Sequence, residues 1–441
     1  MNDLSKPITI DGHAVPVDGD VGDKITIGDR GSPPSSIPPS PMPLSFDELP
    51  SPGKLPTGSR LPFTRNNLFT GRTAQLKSLA QALLHDQTSP THIVRAIYGA
   101  GGVGKTQLAV EFAYRYGRYF YGVHWINAYR PDCLDNEIAA CGRAMDLEDW
   151  PKEQSEQVDR TMQEWKQRRP SLVILDSVQN ASAAHKCLSK LGGGQLCVLI
   201  TTRLDTWPPN MGLELNVFAP DKSLDLLRRR LPADRATDDE LETLAARLNH
   251  LPIALELVSR YLVYGTKTVT VYLDELAEEK DFPLAAMTQA LIGLISRSNK
   301  TGRPLPFASL YHYIESVAND AQEAGREEAR MLWNNLGCHY WIMDDYAQAQ
   351  TALEQAIGPE PSRLNAIRYN NLGSVLQDMG NLSQALDAYE RALKICERTV
   401  GLNHPYVAIL VRNVGTILYE SGDLPGAREA FLQALAIDKR F

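Results

Sequence analysis

The stretch Gly99-Ala100-Gly101-Gly102-Val103-Gly104-Lys105-Thr106 constrains this chain more than any other part of it. It fits the Walker A pattern, in which glycines permit a tight turn, backbone N–H groups cradle phosphates, the lysine reaches the β/γ-phosphates and the hydroxyl takes Mg²⁺. Such a loop works only between a strand and a helix. The apolar run Ile93–Tyr98 supplies the strand, and Leu108, Phe112 and Tyr116, four apart, supply a helix that Gly117 is expected to cap. At ordinary residue frequencies the pattern arises by chance roughly 0.02 times in a chain of 441 residues.

From about Asn67 apolar runs alternate with helical periodicity, which predicts an α/β domain with a parallel sheet. The candidate strands are Ile93–Tyr98, Gly122–Asn127, Leu172–Asp176, Cys197–Thr202 and Leu213–Phe218. Ser171–Asp176 ends in a carboxylate where a Walker B strand needs one to hold the water shell of Mg²⁺. Thr201-Thr202-Arg203 ends another strand, and an arginine there can sense a γ-phosphate. After Pro220 strand signals cease. Leu224–Leu231, Leu241–Leu248 and Ile253–Leu262 read as three helices, the second opened by a Thr237-x-x-Glu240 capping box and the third by Pro252.

The C-terminal part repeats itself. Asn335-Leu336-Gly337, Asn371-Leu372-Gly373 and Asn413-Val414-Gly415 each lead a unit. Each then places alanine twelve residues after its glycine (Ala349, Ala385, Ala427), a large apolar residue at sixteen (Leu353, Tyr389, Phe431) and alanine at nineteen (Ala356, Ala392, Ala434). This resembles the tetratricopeptide repeat (TPR), a helix pair of ~34 residues with small residues at the helix crossing. The spacings of 36 and 42 residues are longer, and the longer one is similar to the kinesin-light-chain variety, with the extra residues expected in the turn near Gly401–Pro405.

Ahead of the α/β domain, ten of the thirty residues from Pro33 to Pro62 are proline, which predicts a disordered linker. Before it lie two short β-prone runs, Ile8–Ile10 and Ile25–Ile27. The expected division is therefore a leader at 1–32, a Pro-rich linker at 33–66, a nucleotide-binding domain at 67–219, its helical domain at 220–265, a helical connector at 266–328 and an all-α TPR solenoid at 329–441. No run of ~18 apolar residues is present, so no membrane span is expected, and without a signal peptide the cytoplasm is the default address. A net charge of −8 gives no overall field for nucleic acid, and none is expected as a partner. The six cysteines form no Cys-x-x-Cys pair, against a zinc finger or disulfide framework.

Leu68-Phe69-Thr70-Gly71-Arg72, the Walker A, the strand to Asp176, Thr201-Thr202-Arg203 and His250-Leu251-Pro252-Ile253-Ala254 together resemble, over about residues 67–265, the NB-ARC class of STAND signalling NTPases. The resemblance implies a sheet order of 5-1-4-3-2 with Arg203 beside the phosphate loop. It places ADP or ATP on Gly99–Thr106 and Gln107, Mg²⁺ at Thr106 and Asp176, and gives Lys105 and Asp176 any catalytic role. Phe69, Gly71 and Arg72 would border the adenine, and Pro252 would pack on the base. Residue 177 is Ser where a second acid often follows, so slow or absent hydrolysis is implied. Residue 73 is Thr where Glu is usual, and no Met-His-Asp triplet occurs, which implies that the winged-helix domain is missing or degenerate.

The run Asp18–Asp29 is similar to short bacterial amyloid-type signalling motifs, although its composition better suits a plain disordered leader. The function implied is an ADP/ATP switch that senses a trigger or a protein partner through its repeats, forms a homo-oligomer and recruits an effector in trans, with a role in bacterial defence or regulation. A turnover ATPase, and a TPR scaffold in which nucleotide only stabilises the fold, are the competing readings. A transcription regulator would need a DNA-binding domain before residue 67, which the Pro-rich leader does not provide.

Overall fold

The computed structural model describes residues 8–10, 13–15, 48–84, 93–129, 131–167, 170–192, 196–208, 210–301 and 311–439. Ile8–Ile10 (β1) pairs antiparallel with His13–Val15 (β2). The run 18–29 and the linker residues 33–47 lie outside the described residues.

The α/β unit holds helix α1 (Thr73–Leu84), β3 (Ile93–Tyr98), α2 (Lys105–Tyr116), β4 (Val123–Asn127), α3 (Leu134–Ala144), α4 (Gln154–Gln167), β5 (Ser171–Val178), α5 (Ala181–Leu191), β6 (Leu196–Thr202) and β7 (Gly212–Glu214). The five strands are parallel in the order β4-β5-β6-β3-β7, which is the expected 5-1-4-3-2 read from its other edge. Their near-continuous apolar runs follow from burial on both faces. Val173, Leu175, Val198 and Ile200 face a core that includes Trp165 on α4, while Leu172, Ile174, Cys197 and Leu199 face a core containing Phe112 and Tyr116 on α2. The last strand stops at Glu214, short of the expected Phe218. After the bond from Leu215 N to Tyr98 O the chain turns away, and Phe218 N donates to His250 O instead.

Gly117 caps α2 as expected, its N–H donating to Ala113 O, but with a right-handed backbone (φ −55°) from which the chain continues as a short 3-10 turn, Gly117–Tyr119. A Cβ at Gly117 would lie 3.1 Å from Leu55 and 3.2 Å from Val123, so glycine serves close packing. The linker, expected to be disordered, is ordered from Glu48 onward. Leu49, Leu55, Leu61 and Phe63 pack on the α2 side of the sheet. Arg60 bridges to the edge strand β4, with Arg60 N donating to Val123 O (2.9 Å) and Trp125 N donating to Arg60 O (2.8 Å). Proline spacing denies this segment a core of its own, yet each apolar residue between prolines finds an existing surface.

After β7 in the chain come α6 (Pro220–Arg230), α7 (Asp238–Arg247), α8 (Pro252–Tyr264) and α9 (Val269–Glu275). The capping box forms as expected, Thr237 Oγ1 accepting from Glu240 N and Glu240 accepting from Thr237 N. Arg228, Arg229 and Arg230 are paired with Asp238, Asp225 and Glu256, so this basic run is neutralised in place.

The helical unit holds α10 (Phe282–Thr301), α11 (Tyr311–Glu323) and three helix pairs: α12 (Glu328–Ile342) with α13 (Tyr346–Ala356), α14 (Arg363–Asp378) with α15 (Leu382–Val400), and α16 (Pro405–Glu420) with α17 (Leu424–Asp438). A Cβ at Gly337, Gly373 or Gly415 would meet Leu353 at 2.6 Å, Tyr389 at 2.8 Å or Phe431 at 3.0 Å, which is the physical content of the glycine-plus-sixteen pattern. Asparagines, buried except for the half-buried Asn413, tie successive first helices together, Asn371 Nδ2 donating to Asn334 Oδ1 (3.1 Å) and Asn413 Nδ2 to Asn370 Oδ1 (2.8 Å). The extra residues of the long repeat lie in a helix, not in the turn. α15 runs on to Val400, with Cys396 buried, until Gly401 at φ 90° stops it, whereas Gly358-Pro359-Glu360-Pro361 ends the corresponding helix early.

Candidate functional site

β3 delivers the chain to Gly99, and α2 starts at Lys105, so the glycine-rich loop spans the carboxyl end of the sheet and the amino end of a three-turn helix. Backbone N–H groups at such a helix start are a ready anion site. Two glycines are required for separate reasons. Gly104 sits at φ 95° with open space around it, so the backbone conformation alone demands it. Gly102, at φ 75°, lies against Ile253, where a Cβ would come within 2.3 Å of a methyl group.

Lys105 Nζ donates to Gly99 O (2.8 Å) and Ala100 O (2.7 Å), placing the ammonium inside the loop. Burial and the nearby Arg203 guanidinium lower its pKa to about 8, against the opposing pull of Asp176. Arg203 follows β6 and lies over the loop, its Nη2 atom 3.1 Å from where a Cβ on Gly101 would stand. Sheet order explains this proximity, because β6 is the neighbour of β3.

Asp176 is buried in β5, which runs two residues past the expected end to Val178. Thr106 Oγ1 donates to its Oδ1 at 2.9 Å and Thr201 Oγ1 donates to the same oxygen at 2.6 Å. Burial raises the Asp176 pKa, while the hydrogen bonds from Thr201, Thr106 and Ser177 and the charge of Lys105 act against that rise. Thr201 also accepts from Ser177 N (2.9 Å), so one hydroxyl fixes both the carboxylate and the next peptide. Ser177 itself has φ 65°, at a register shift between β5 and β6. Sequence reasoning assigned no role to Thr201. Its signal was a threonine, beside Thr202, that ends an apolar strand and is nevertheless buried.

Arg72, at φ 63°, donates through Nη2 to Val103 O (3.1 Å) and Asn216 O (2.5 Å) and stacks 4.8 Å over Phe218. Burial lowers its pKa to about 10. It therefore braces the phosphate loop from outside, while Gly71 (φ 68°) makes the turn into α1 and Phe69 packs into the core beneath. Pro252 opens α8, and it is its neighbours Leu251 and Ile253 that touch the loop, Ile253 N donating to Gly102 O (3.1 Å). Gln107 is half-buried on the first turn of α2. The loop, a helix start, a hydroxyl and a buried carboxylate within 2.9 Å of each other suit a magnesium nucleotide in donor chemistry. Among the described residues no group of three or more His, Cys, Asp or Glu could hold a metal unaided, and no helix is long and apolar enough to cross a membrane.

Residues 72–235 match the NB-ARC domain, and residues 332–362 and 365–440 match tetratricopeptide repeats. A regulatory protein AfsR of Streptomyces griseus is 28% identical over 225 residues, which is 48% of this chain and 23% of that protein. A nucleotide-binding leucine-rich repeat (NLR)-like protein of the fungus Hyaloscypha variabilis is 24% identical over 260 residues, 54% of this chain and 26% of that protein. The matched region thus spans about a quarter of these relatives. Among solved structures, a STAND protein with a tetratricopeptide repeat sensor from Pyrococcus horikoshii is 14% identical with a TM-score of 0.28, covering 86% of this chain and 78% of its own. BtubC from P. vanneervenii is 19% identical with a TM-score of 0.34, covering 51% and 92%.

Proposed function

We propose that the region matching the NB-ARC domain binds a nucleotide and the region matching tetratricopeptide repeats binds protein, together making a nucleotide-controlled switch of the STAND class. The repeats take a protein trigger, ADP holds the resting state, and exchange for ATP promotes self-association and recruitment of an effector protein. Lys105 and the loop from Gly99 to Gln107 would take the phosphates, Thr106 and Asp176 the Mg²⁺ and its water shell, and Arg203 the γ-phosphate. Phe69, Gly71, Arg72 and Pro252 would line the base side.

The observation that carries this reading is the state of Asp176. It is buried and committed to Thr106 and Thr201, and the adjoining position holds Ser177, whose hydroxyl takes no proton from water near neutral pH. Such a site retains a nucleotide without an evident base to turn it over. Chromatography of the supernatant after denaturing purified protein should give close to one adenine nucleotide per chain, mostly ADP, and far less from Lys105→Ala. Equal occupancy in the two would remove the site assignment. Multiple turnover at ~1 s⁻¹ or faster would favour an ordinary ATPase instead. Full occupancy without any exchange, and repeat binding indifferent to nucleotide, would favour a scaffold.

A further inference from the structure

Each repeat turns from its first helix to its second at Ile342–Tyr346, Asp378–Leu382 or Glu420–Leu424. Two hydrogen bonds between successive repeats make these turns neighbours. Trp341 Nε1 donates to Asp378 Oδ2 (2.6 Å), and Gln377 Nε2 donates to Glu420 Oε1 (2.8 Å). Along the edge so formed, Ile342, Met343, Met379, Tyr419 and Leu424 are 57%, 65%, 37%, 63% and 58% exposed. Single exposed apolar residues are ordinary on a soluble surface, but recurrence at matching turns of three repeats is a patch.

The charge on this edge has one sign. Asp344, Asp345, Asp378, Glu420 and Asp423 are all exposed, and residues 341–346, 377–382 and 417–424 contain no Lys or Arg. Some of these acids have local duties: Asp345 caps α13 by accepting from Gln348 N, and Asp423 caps α17 by accepting from Gly426 N. Capping calls for no exposed methionine, isoleucine or tyrosine beside the acid, and it calls for no exclusion of basic residues. The carboxyl ends of α12, α14 and α16 and the amino ends of α13, α15 and α17 meet at the same turns, so the helix dipoles offset one another and the carboxylates set the sign of the edge.

We propose that this edge docks a lysine- or arginine-rich amphipathic segment of a partner protein. The apolar face of the segment would lie on Ile342, Met343, Met379, Tyr419 and Leu424, and its basic flanks on Asp344, Asp378 and Glu420. Charge selects this occupant. A second copy laid edge to edge would oppose acids with acids, and an acidic or uncharged segment would gain nothing from the five carboxylates. The inference deepens the sensing role proposed above and rests on it only for the consequence of binding.

The test is a titration of the full chain with a fluorescent helical peptide built only of Leu and Lys, alongside the same pattern with Glu in place of Lys. The Leu/Lys peptide should bind, more weakly as salt rises from about 50 to 300 mM. Ile342→Ser with Met343→Ser, and separately Asp344→Asn with Glu420→Gln, should each weaken it tenfold or more while melting as the wild type does. Wild-type affinity in both variants, or equal binding of the Leu/Glu peptide, would overturn the proposal. Concentration-dependent dimers that vanish in Ile342→Ser with Met343→Ser would overturn it in favour of a second copy. Nucleotide content is read on the same samples, so a failed switch and a failed docking edge give different results.

Discussion

Thr201 shows how much one buried hydroxyl can hold. It donates to Asp176 and accepts from Ser177 N, so Thr201→Val keeps the shape, takes that acceptor from Ser177 N and leaves Asp176 Oδ1 with Thr106. The expected loss of stability is about 1–3 kcal/mol, with weaker retention of nucleotide in the presence of Mg²⁺. Equal thermal and nucleotide stability in the variant would show that Asp176 is held by Thr106 alone. Lys105 makes a pH-dependent prediction. Its folded pKa of about 8 lies below the ordinary 10.5, so above about pH 8 the folded chain has released a proton that the unfolded chain keeps. Stability from this group is therefore lowest below pH 8 and rises towards 10.5. Phosphates would draw the proton back, so calorimetry in buffers of different ionisation enthalpy should find uptake approaching about one proton per nucleotide near pH 9 and little near pH 6.5. No difference between the two would place the lysine away from the phosphates. Ser177 already has a left-handed backbone, which aspartate tolerates, so Ser177→Asp should fold and should raise hydrolysis.

At the scale of elements, the segment from Glu48 to Asn66 is a strap of the nucleotide domain. Arg65 and Arg115 both hold the buried Glu111 on α2, at 2.8 and 2.7 Å, so the strap is tied to the helix that starts at the phosphate loop. Burying Leu49, Leu55, Leu61 and Phe63 in part contributes roughly 1 kcal/mol each, and breaking the Glu111 pairing adds to that. A chain beginning at residue 67 should melt well below one beginning at residue 48, while the latter should match the whole chain. Equal melting of all three would make the strap dispensable. In the repeats, Gly373→Ala pushes a methyl to 2.8 Å from the Tyr389 ring, an overpacking expected to cost about 1–3 kcal/mol. These elements were unevenly legible. Strand and helix positions came from periodicity, but the strap was invisible because prolines suppress every periodic signal and its burial depends on surfaces distant in sequence.

At the scale of the molecule, two compact units divide near Val263 and Leu276. A ligand that binds one of them stabilises that one, by about 2.7 kcal/mol at a hundredfold excess over Kd. Calorimetric scans with ADP and Mg²⁺ should therefore move one transition upward and leave the transition of the repeats in place, and Lys105→Ala should abolish the shift. A common shift of both transitions would mean that the units unfold together.

What the sequence determined by itself was whatever is local or periodic. The strand-loop-helix at Gly99–Thr106, the capping box at Thr237, the strand that carries Asp176 and the spacing of Gly337, Gly373 and Gly415 all follow from short-range sterics and the periods of helix and strand. What only the tertiary structure decided was which distant groups meet. Thr201 reaches Asp176 because β5 and β6 are neighbours, and Arg72 braces Val103 because the chain turns into α1 at Gly71. Gly117 is small for Leu55, and the turns of three repeats align their acids and apolar side chains on one edge through Trp341 and Gln377. Each of these depends on strand order or helix stacking, and neither is written in any single stretch of chain.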